Sequence, residues 1–192
     1  VEGGKNAHYA EIRGRMYPEP ELWNTLMKKL SEVVRLYLRA QVTAGAQAIQ
    51  LFDSWIGALS PTDYREFILP HVQHILQDVA KTGVPVIHFG TGTATLLELQ
   101  KEAGGTVIGV DWRTPLGAAR ARLGNDVAVQ GNLDPLLLFA PRPLLEKRVV
   151  EVLDAAGPAP GHIFNLGHGI LPETSPDSVR FVADVVHERS RR

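Results

Sequence analysis

The chain has 192 residues, 44% of them hydrophobic and 21% charged, with 18 Gly, 13 Pro and no Cys, the composition of one soluble globular domain. Twenty basic side chains against 21 acidic ones leave a formal net charge of −1, which excludes the strongly basic surface of a protein that wraps nucleic acid. The lack of Cys excludes disulfides, thiolate metal ligands and thiol nucleophiles, and no apolar run reaches the ~18–20 residues of a membrane helix, so a cytoplasmic protein without a membrane partner is expected.

In chain order, residues 21–43 place Leu22, Leu26, Leu30, Val33 and Tyr37 three and four apart, one apolar stripe on one helical face, with Pro20 at its start and Gly45 past its end. The run 46–52 reads as a buried strand closing on Asp53 and Ser54. Ser60, Pro61 and Asp63 spell a helix start, and that helix is predicted to reach about Thr82 with a kink or break at Pro70. The alternation continues with strands at 84–89, 106–112, 127–132 and 162–167. Helices are predicted near 93–103, from Thr114-Pro115, over 141–156 and from Ser175-Pro176. Five strands, each followed by a helix, predict a right-handed parallel βα array. Periodicity alone leaves open an open doubly wound sheet or part of an eight-stranded barrel.

In both architectures the working face lies at the C-terminal ends of the strands. Those ends nominate Asp53 and Ser54, His88 with Gly90 and Thr91, Asp111 and Trp112, Gly131 to Asp134, and Asn165 to Gly169. No G-x-S-x-G elbow and no G-x-x-x-x-G-K-[ST] phosphate loop is present. The turn Gly90-Thr91-Gly92-Thr93-Ala94-Thr95 approaches a dinucleotide fingerprint but lacks the third small residue, so it reads as a glycine-rich βα turn. His71 and His74 have no third metal ligand beside them and, with Asp78, read as a solvated helix face. His88 reads as a barrel-facing histidine with its hydrogen bond satisfied. Arg13 and Arg15 are open to an anion-facing role, whereas Arg189 to Arg192 read as solubilising.

Four strings carry a more specific signal: AGAQAIQLFDSW (44–55), VIGVDW (107–112), QGNLDP (130–135) and NLGHGILPETSPDSV (165–179), preceded by the VEGG opening. In this order and spacing they resemble the uroporphyrinogen decarboxylase family, and the likeness covers essentially the whole chain. The resemblance implies a (β/α)8 TIM barrel, of which this chain supplies about the last five βα units, so residues 1–192 are expected to be a single domain, the C-terminal portion of such a barrel. It implies a carboxy-lyase of haem biosynthesis that decarboxylates the four acetate side chains of uroporphyrinogen III to give coproporphyrinogen III, as a cytoplasmic homodimer. No cofactor is implied, because a protonated pyrrole is its own electron sink.

Residue by residue, the serine of the LF-[DE]-S string maps to Ser54, the histidine of NLGHG to His168, and Phe52 matches an aromatic that faces the macrocycle; all three are expected to bind substrate. Core or loop-packing roles are the alternatives for each. The family's arginine-rich motif, its pyrrole-binding aspartate and a tyrosine upstream of VEGG have no counterpart here. No catalytic group is therefore assigned within the chain, the proton donor is expected outside it, and the isolated chain is expected to be inactive. A related branch, zinc-dependent methyltransferases with an H-x-C motif, is set aside because the corresponding string is His88-Phe89-Gly90, without a thiolate. A catalytically silent homologue that keeps the barrel half is the further alternative.

Overall fold

A computed structural model describes residues 9–190, so the VEGG string and Arg191–Arg192 lie outside the described residues. Five strands, β1 (Ile49–Asp53), β2 (Val86–Gly90), β3 (Val107–Gly109), β4 (Ala128–Gln130) and β5 (His162–Ile163), pair in sequence order. Every pairing is parallel, with Phe52 level with Phe89, Phe89 with Gly109 and Gly109 with Gln130. This is the expected βα array: an α/β fold whose curved parallel sheet is an arc of five consecutive units of a (β/α)8 barrel. The first four strands begin one to three residues later than the apolar runs suggest, because the first residues of each run serve as the approach to the sheet, and β5 begins where expected but ends at Ile163.

Besides two short 3-10 turns, eight α-helices accompany the sheet among the described residues. They are α1 (Ala10–Met16), α2 (Pro20–Thr43), α3 (Pro61–Phe67), α4 (Leu69–Ala80), α5 (Leu97–Ala103), α6 (Leu116–Leu123), α7 (Arg142–Ala156) and α8 (Pro176–Ser190). The Ser60 signature works as read: its hydroxyl accepts the Asp63 amide at 3.1 Å and caps α3. The break expected near Pro70 falls at Ile68, whose φ of −121° ends α3 and starts α4. Gly104, Gly124 and Gly157 end α5, α6 and α7 with positive φ, the conformation in which glycine carries no steric penalty.

Two expectations about helix faces are corrected. The stripe of Leu22, Leu30, Val33 and Tyr37 on α2 lies outward, at 57, 46, 65 and 65% exposure. The face rotated by one residue, Trp23, Met27, Ser31, Val34, Leu38 and Val42, is the packed one. Trp23 Nε1 donates to the Phe67 carbonyl at 3.0 Å, and Arg35 and Arg39 reach Asp78 of α4 at 2.8 and 3.2 Å. A helix with two adjacent apolar stripes satisfies the same periodicity whichever one is buried. His71 is likewise not solvated: it is buried under α2, its Nε2 3.1 Å from Asn24 Oδ1, while Asp78 is tied to Arg35 and Arg39.

Side chains alternate across the sheet. Ile49, Leu51 and Val86 enter the core beneath α2, α4 and α5, whereas Gln50, Phe52, Phe89 and Gln130 line the inner, concave face. Ile108, Val110 and Val129 pack with α6, and α7 and α8 close the far end around Leu145, Val149, Val182 and Val185. No described helix is long and apolar enough to cross a membrane.

Candidate active site

The strand-end loops are laced to one another in series. Thr91 Oγ1 donates to the carbonyl of Ser54, tying the second loop to the first. Gly57 of the first loop is pressed on the second so closely that a Cβ there would meet the Thr91 carbonyl at 2.3 Å. Gly92 N donates to Asp111 Oδ2 at 2.6 Å, joining the second loop to the third, and Asn132 Nδ2 donates to the carbonyls of Asp111 and Thr114 at 2.8 and 2.6 Å, joining the fourth. Leu133 N reaches the Asn165 carbonyl and Gly167 N returns to the Leu133 carbonyl. Asp111 is fully buried and also accepts Arg113 Nη1 at 2.8 Å, a charge-assisted pair that offsets the cost of burying a carboxylate. The Gly92 amide is thereby committed to Asp111, which removes the donor a dinucleotide phosphate would need from this turn.

Two of the cavities on this rim meet at Phe52. One, of about 300 Å³, lies in the concave face and is lined by Gln50, Phe52, Phe89, Gln130, Asn165 and His168, among others. The other, of about 240 Å³, lies between α1 and the end of β1 and includes Phe52, Asp53, Ser54, Trp55 and Arg13. Phe52 is their common wall: 66% exposed, its ring meets Phe89 edge-on with centroids 6.0 Å apart. Ser54 and His168 therefore sit on either side of one aromatic side chain, at the same end of the sheet. His168 stands edge-on to Trp112 at 5.7 Å, and the Arg113 guanidinium covers that indole ring at 3.7 Å. Gly167 permits the contact, since a Cβ there would lie 2.3 Å from Trp112 N.

His88 is corrected in direction. It points away from the barrel interior into the helix layer, is fully buried, and has Nδ1 3.3 Å from the Gln100 carbonyl and Nε2 3.7 Å from Asp53 Oδ2. Arg13 lies in the wall of the Ser54 cavity. Among the described residues no cluster of three or more His, Asp or Glu side chains has metal-site geometry. Two further participants carry little signal in the sequence. Tyr64 of α3 is wholly buried, its phenol pushed up by burial and by the negative charges of Asp53 and Glu102, and Gln130 reaches Gln50 at 3.2 Å across the concave face. Glutamines at inner positions of otherwise apolar strands were the available signal for the second; an amphipathic tyrosine in a helix gives none.

The uroporphyrinogen decarboxylase (URO-D) family profile matches residues 1–189. Among curated proteins, the chain is 63% identical over 191 residues to a uroporphyrinogen decarboxylase of Sorangium cellulosum, covering 100% of this chain and 55% of that protein. It is 52% identical to those of Salinispora tropica and Thermus thermophilus, covering 100 and 98% of this chain and 52 and 55% of theirs. The chain thus spans about half the length of the curated relatives it matches. Among solved structures, a methyltransferase from Methanosarcina mazei superposes with a TM-score of 0.83 at 19% identity over 93% of this chain and 53% of that one. An archaeal fructose-1,6-bisphosphate aldolase gives 0.52 at 17% identity over 78 and 60%. These likenesses carry the fold alone.

Proposed function

The chain belongs to the uroporphyrinogen decarboxylase family, and from that membership we propose that it forms part of the site of a carboxy-lyase converting uroporphyrinogen to coproporphyrinogen. The reaction needs somewhere for an electron pair to go. Protonating the pyrrole carbon beside the acetate-bearing carbon makes the ring cationic, and the ring then accepts the pair as carbon dioxide leaves, so neither pyridoxal, thiamine nor a metal is required. The protein's work is positioning, proton delivery and charge stabilisation.

Phe52 carries the reading. A large aromatic left two-thirds exposed on the concave face, between cavities holding Ser54 and His168, is a surface for the apolar face of a pyrrole ring whose acidic arms meet the flanking polar groups. In this proposal the macrocycle covers Phe52, and Ser54 Oγ and a ring nitrogen of His168 donate hydrogen bonds to peripheral carboxylates. The decisive test is anaerobic turnover of uroporphyrinogen. The polypeptide carrying this sequence together with the remaining barrel units is expected to release carbon dioxide without added cofactor, and the 192-residue chain alone is expected not to. Absence of turnover by the complete barrel would overturn the reading in favour of a silent homologue. A homodimer in the cytoplasm belongs to the same proposal, and light scattering of the purified protein tests the assembly.

A further inference from the structure

His168 is an exposed side chain on a loop that does little to aim it. It stands between Gly167 and Gly169, where backbone sterics restrain the chain least, and neither ring nitrogen has a hydrogen-bond partner among the described residues. A histidine presented in this way samples several rotamers unless something else holds the ring. Trp112 does so: the imidazole meets its indole with centroids 5.7 Å apart and planes at 85°, an edge-on geometry that aromatic rings favour. The contact engages no hydrogen bond, so the imidazole keeps its capacity for a ligand in the cavity that it lines with Phe52 and Gln130.

Trp112 needs fixing in its turn. Its indole N–H has no hydrogen-bond partner among the described residues, and the ring is held instead by the Arg113 guanidinium, 3.7 Å from its centroid. Arg113 is anchored by the fully buried Asp111: Nη1 donates to Oδ2 at 2.8 Å and the Arg113 amide donates to Oδ1 at 3.2 Å. The Arg113 side chain is 54% exposed, so an untethered guanidinium here would swing toward any passing anion. Paired with a buried carboxylate and stacked on an indole, it acts as a strut. Asp111 Oδ2 also takes the Gly92 amide at 2.6 Å, so the strut stands on the atom that joins the second strand-end loop to the third.

We propose that Trp112 and Arg113 are positioning residues for His168: the guanidinium sets the plane of the indole, the indole sets the plane of the imidazole, and His168 meets a peripheral carboxylate of the tetrapyrrole already aimed. The inference rests on the decarboxylase reading and extends the machinery of that site beyond Ser54, His168 and Phe52. The gain is entropic. A side chain held in its bound rotamer beforehand has no rotamer freedom left to lose when the ligand arrives. It bears on KM rather than on kcat, because a peripheral carboxylate away from the reacting carbon is gripped equally in the bound substrate and in the transition state. Neither Trp112 nor Arg113 touches the substrate, so the influence of each passes through His168 and vanishes when the imidazole is gone.

The test is a double-mutant cycle in the complete barrel. Trp112→Ala is expected to raise KM for uroporphyrinogen about 3–10-fold, the scale of one aromatic edge contact, with kcat within about twofold, and Trp112→Phe is expected to recover most of the loss. Arg113→Gln is expected to act in the same direction and more weakly. In a His168→Ala background Trp112→Ala is expected to add less than about twofold to KM. Equal increases with and without His168 overturn the positioning role, since Trp112 would then meet the substrate directly or support the loop in general, and a parental KM in Trp112→Ala overturns it too. Where Trp112→Ala fails to fold, Trp112→Leu runs the same cycle. A readout independent of turnover is the ring C–H resonance of His168 in ¹³C-histidine-labelled protein, assigned with His168→Ala. It is expected to be displaced by the indole ring current in the parent, to return to the free-imidazole position in Trp112→Ala and to stay displaced in Trp112→Phe. A parent resonance at the free position overturns the brace itself. A complete barrel with the displaced resonance but no turnover refutes the decarboxylase reading and leaves the brace standing, whereas turnover with additive KM effects refutes the positioning role alone.

Discussion

Gln130 Nε2 donates to Gln50 Oε1 at 3.2 Å although two strands, β2 and β3, separate β4 from β1. On a flat sheet their backbones would stand ~14 Å apart, three strand spacings. The sheet therefore curls enough for two inward side chains to meet over its concave face, and the pair spans the floor of the cavity lined by Phe52 and His168.

This pair is expected to couple. Gln50→Ala and Gln130→Ala should each lower stability by about 1 kcal/mol, and the double variant by less than their sum, leaving an interaction of roughly 0.5–1.5 kcal/mol. Urea titration of the four proteins measures it, and strict additivity would show that the contact contributes nothing to curvature.

Gly167→Ala should be costly for a spatial reason. The added Cβ would lie 2.3 Å from Trp112 N and 2.8 Å from its Cβ, and the neighbour is backbone that cannot swing aside. A loss of about 1–3 kcal/mol is expected, as for other overpacked sites, together with displacement of the His168 loop. A thermal melt unchanged from the parent would show that the loop has room to move.

Ser54→Ala and His168→Ala in the complete barrel should raise KM for uroporphyrinogen roughly 10–100-fold, the cost of a hydrogen bond to a charged group, with a smaller effect on kcat. Steady-state kinetics separates the two parameters. Unchanged KM in both variants would remove these residues from the substrate's periphery.

Acid should weaken the fold through two histidines. Burial holds the His71 imidazole below its ordinary pKa, with positive charge on Lys28 and His74 adding to the effect. Burial does the same to His162, against the pull of its bond to the Gly131 carbonyl. A folded value below the unfolded one means that the unfolded chain binds the proton more readily. Full stability is present above about pH 6.5, the free imidazole value, and is lost as pH falls below it through the folded values. His71→Gln and His162→Gln should each flatten the decline in urea midpoint between pH 7.5 and 5.5, and a decline parallel to the parent's would exonerate that histidine.

The strand ends were legible because polar residues and glycines interrupt apolar runs at regular intervals. Asp53, Ser54, Asp111, Asn132 and His168 all emerged that way, and the Ser60 cap and the break beside Pro70 followed from backbone chemistry that no tertiary contact overrides. What could not be read was direction. Whether α2 buries Leu30 or Trp23 depends on where α4 lies, and periodicity is blind to a rotation of one residue. The side to which His88 points is hidden for a similar reason: a strand apolar on both faces has no alternation to mark its inner positions. His71 looked solvated because the partner that buries it, Asn24, lies 47 positions away.

The chain of loop-to-loop hydrogen bonds from Ser54 through Asp111 and Asn132 to Gly167 means that neither end sets its own place. The gap between Ser54 and His168 is the sum of every link between them, so the rim behaves as a caliper whose opening is adjusted in the middle. Lengthening a single turn at Gly92 or Asn132 would reset that opening without altering any residue at its tips, and molecules would then be sorted by the spacing of their acidic arms rather than by the strength of any one grip.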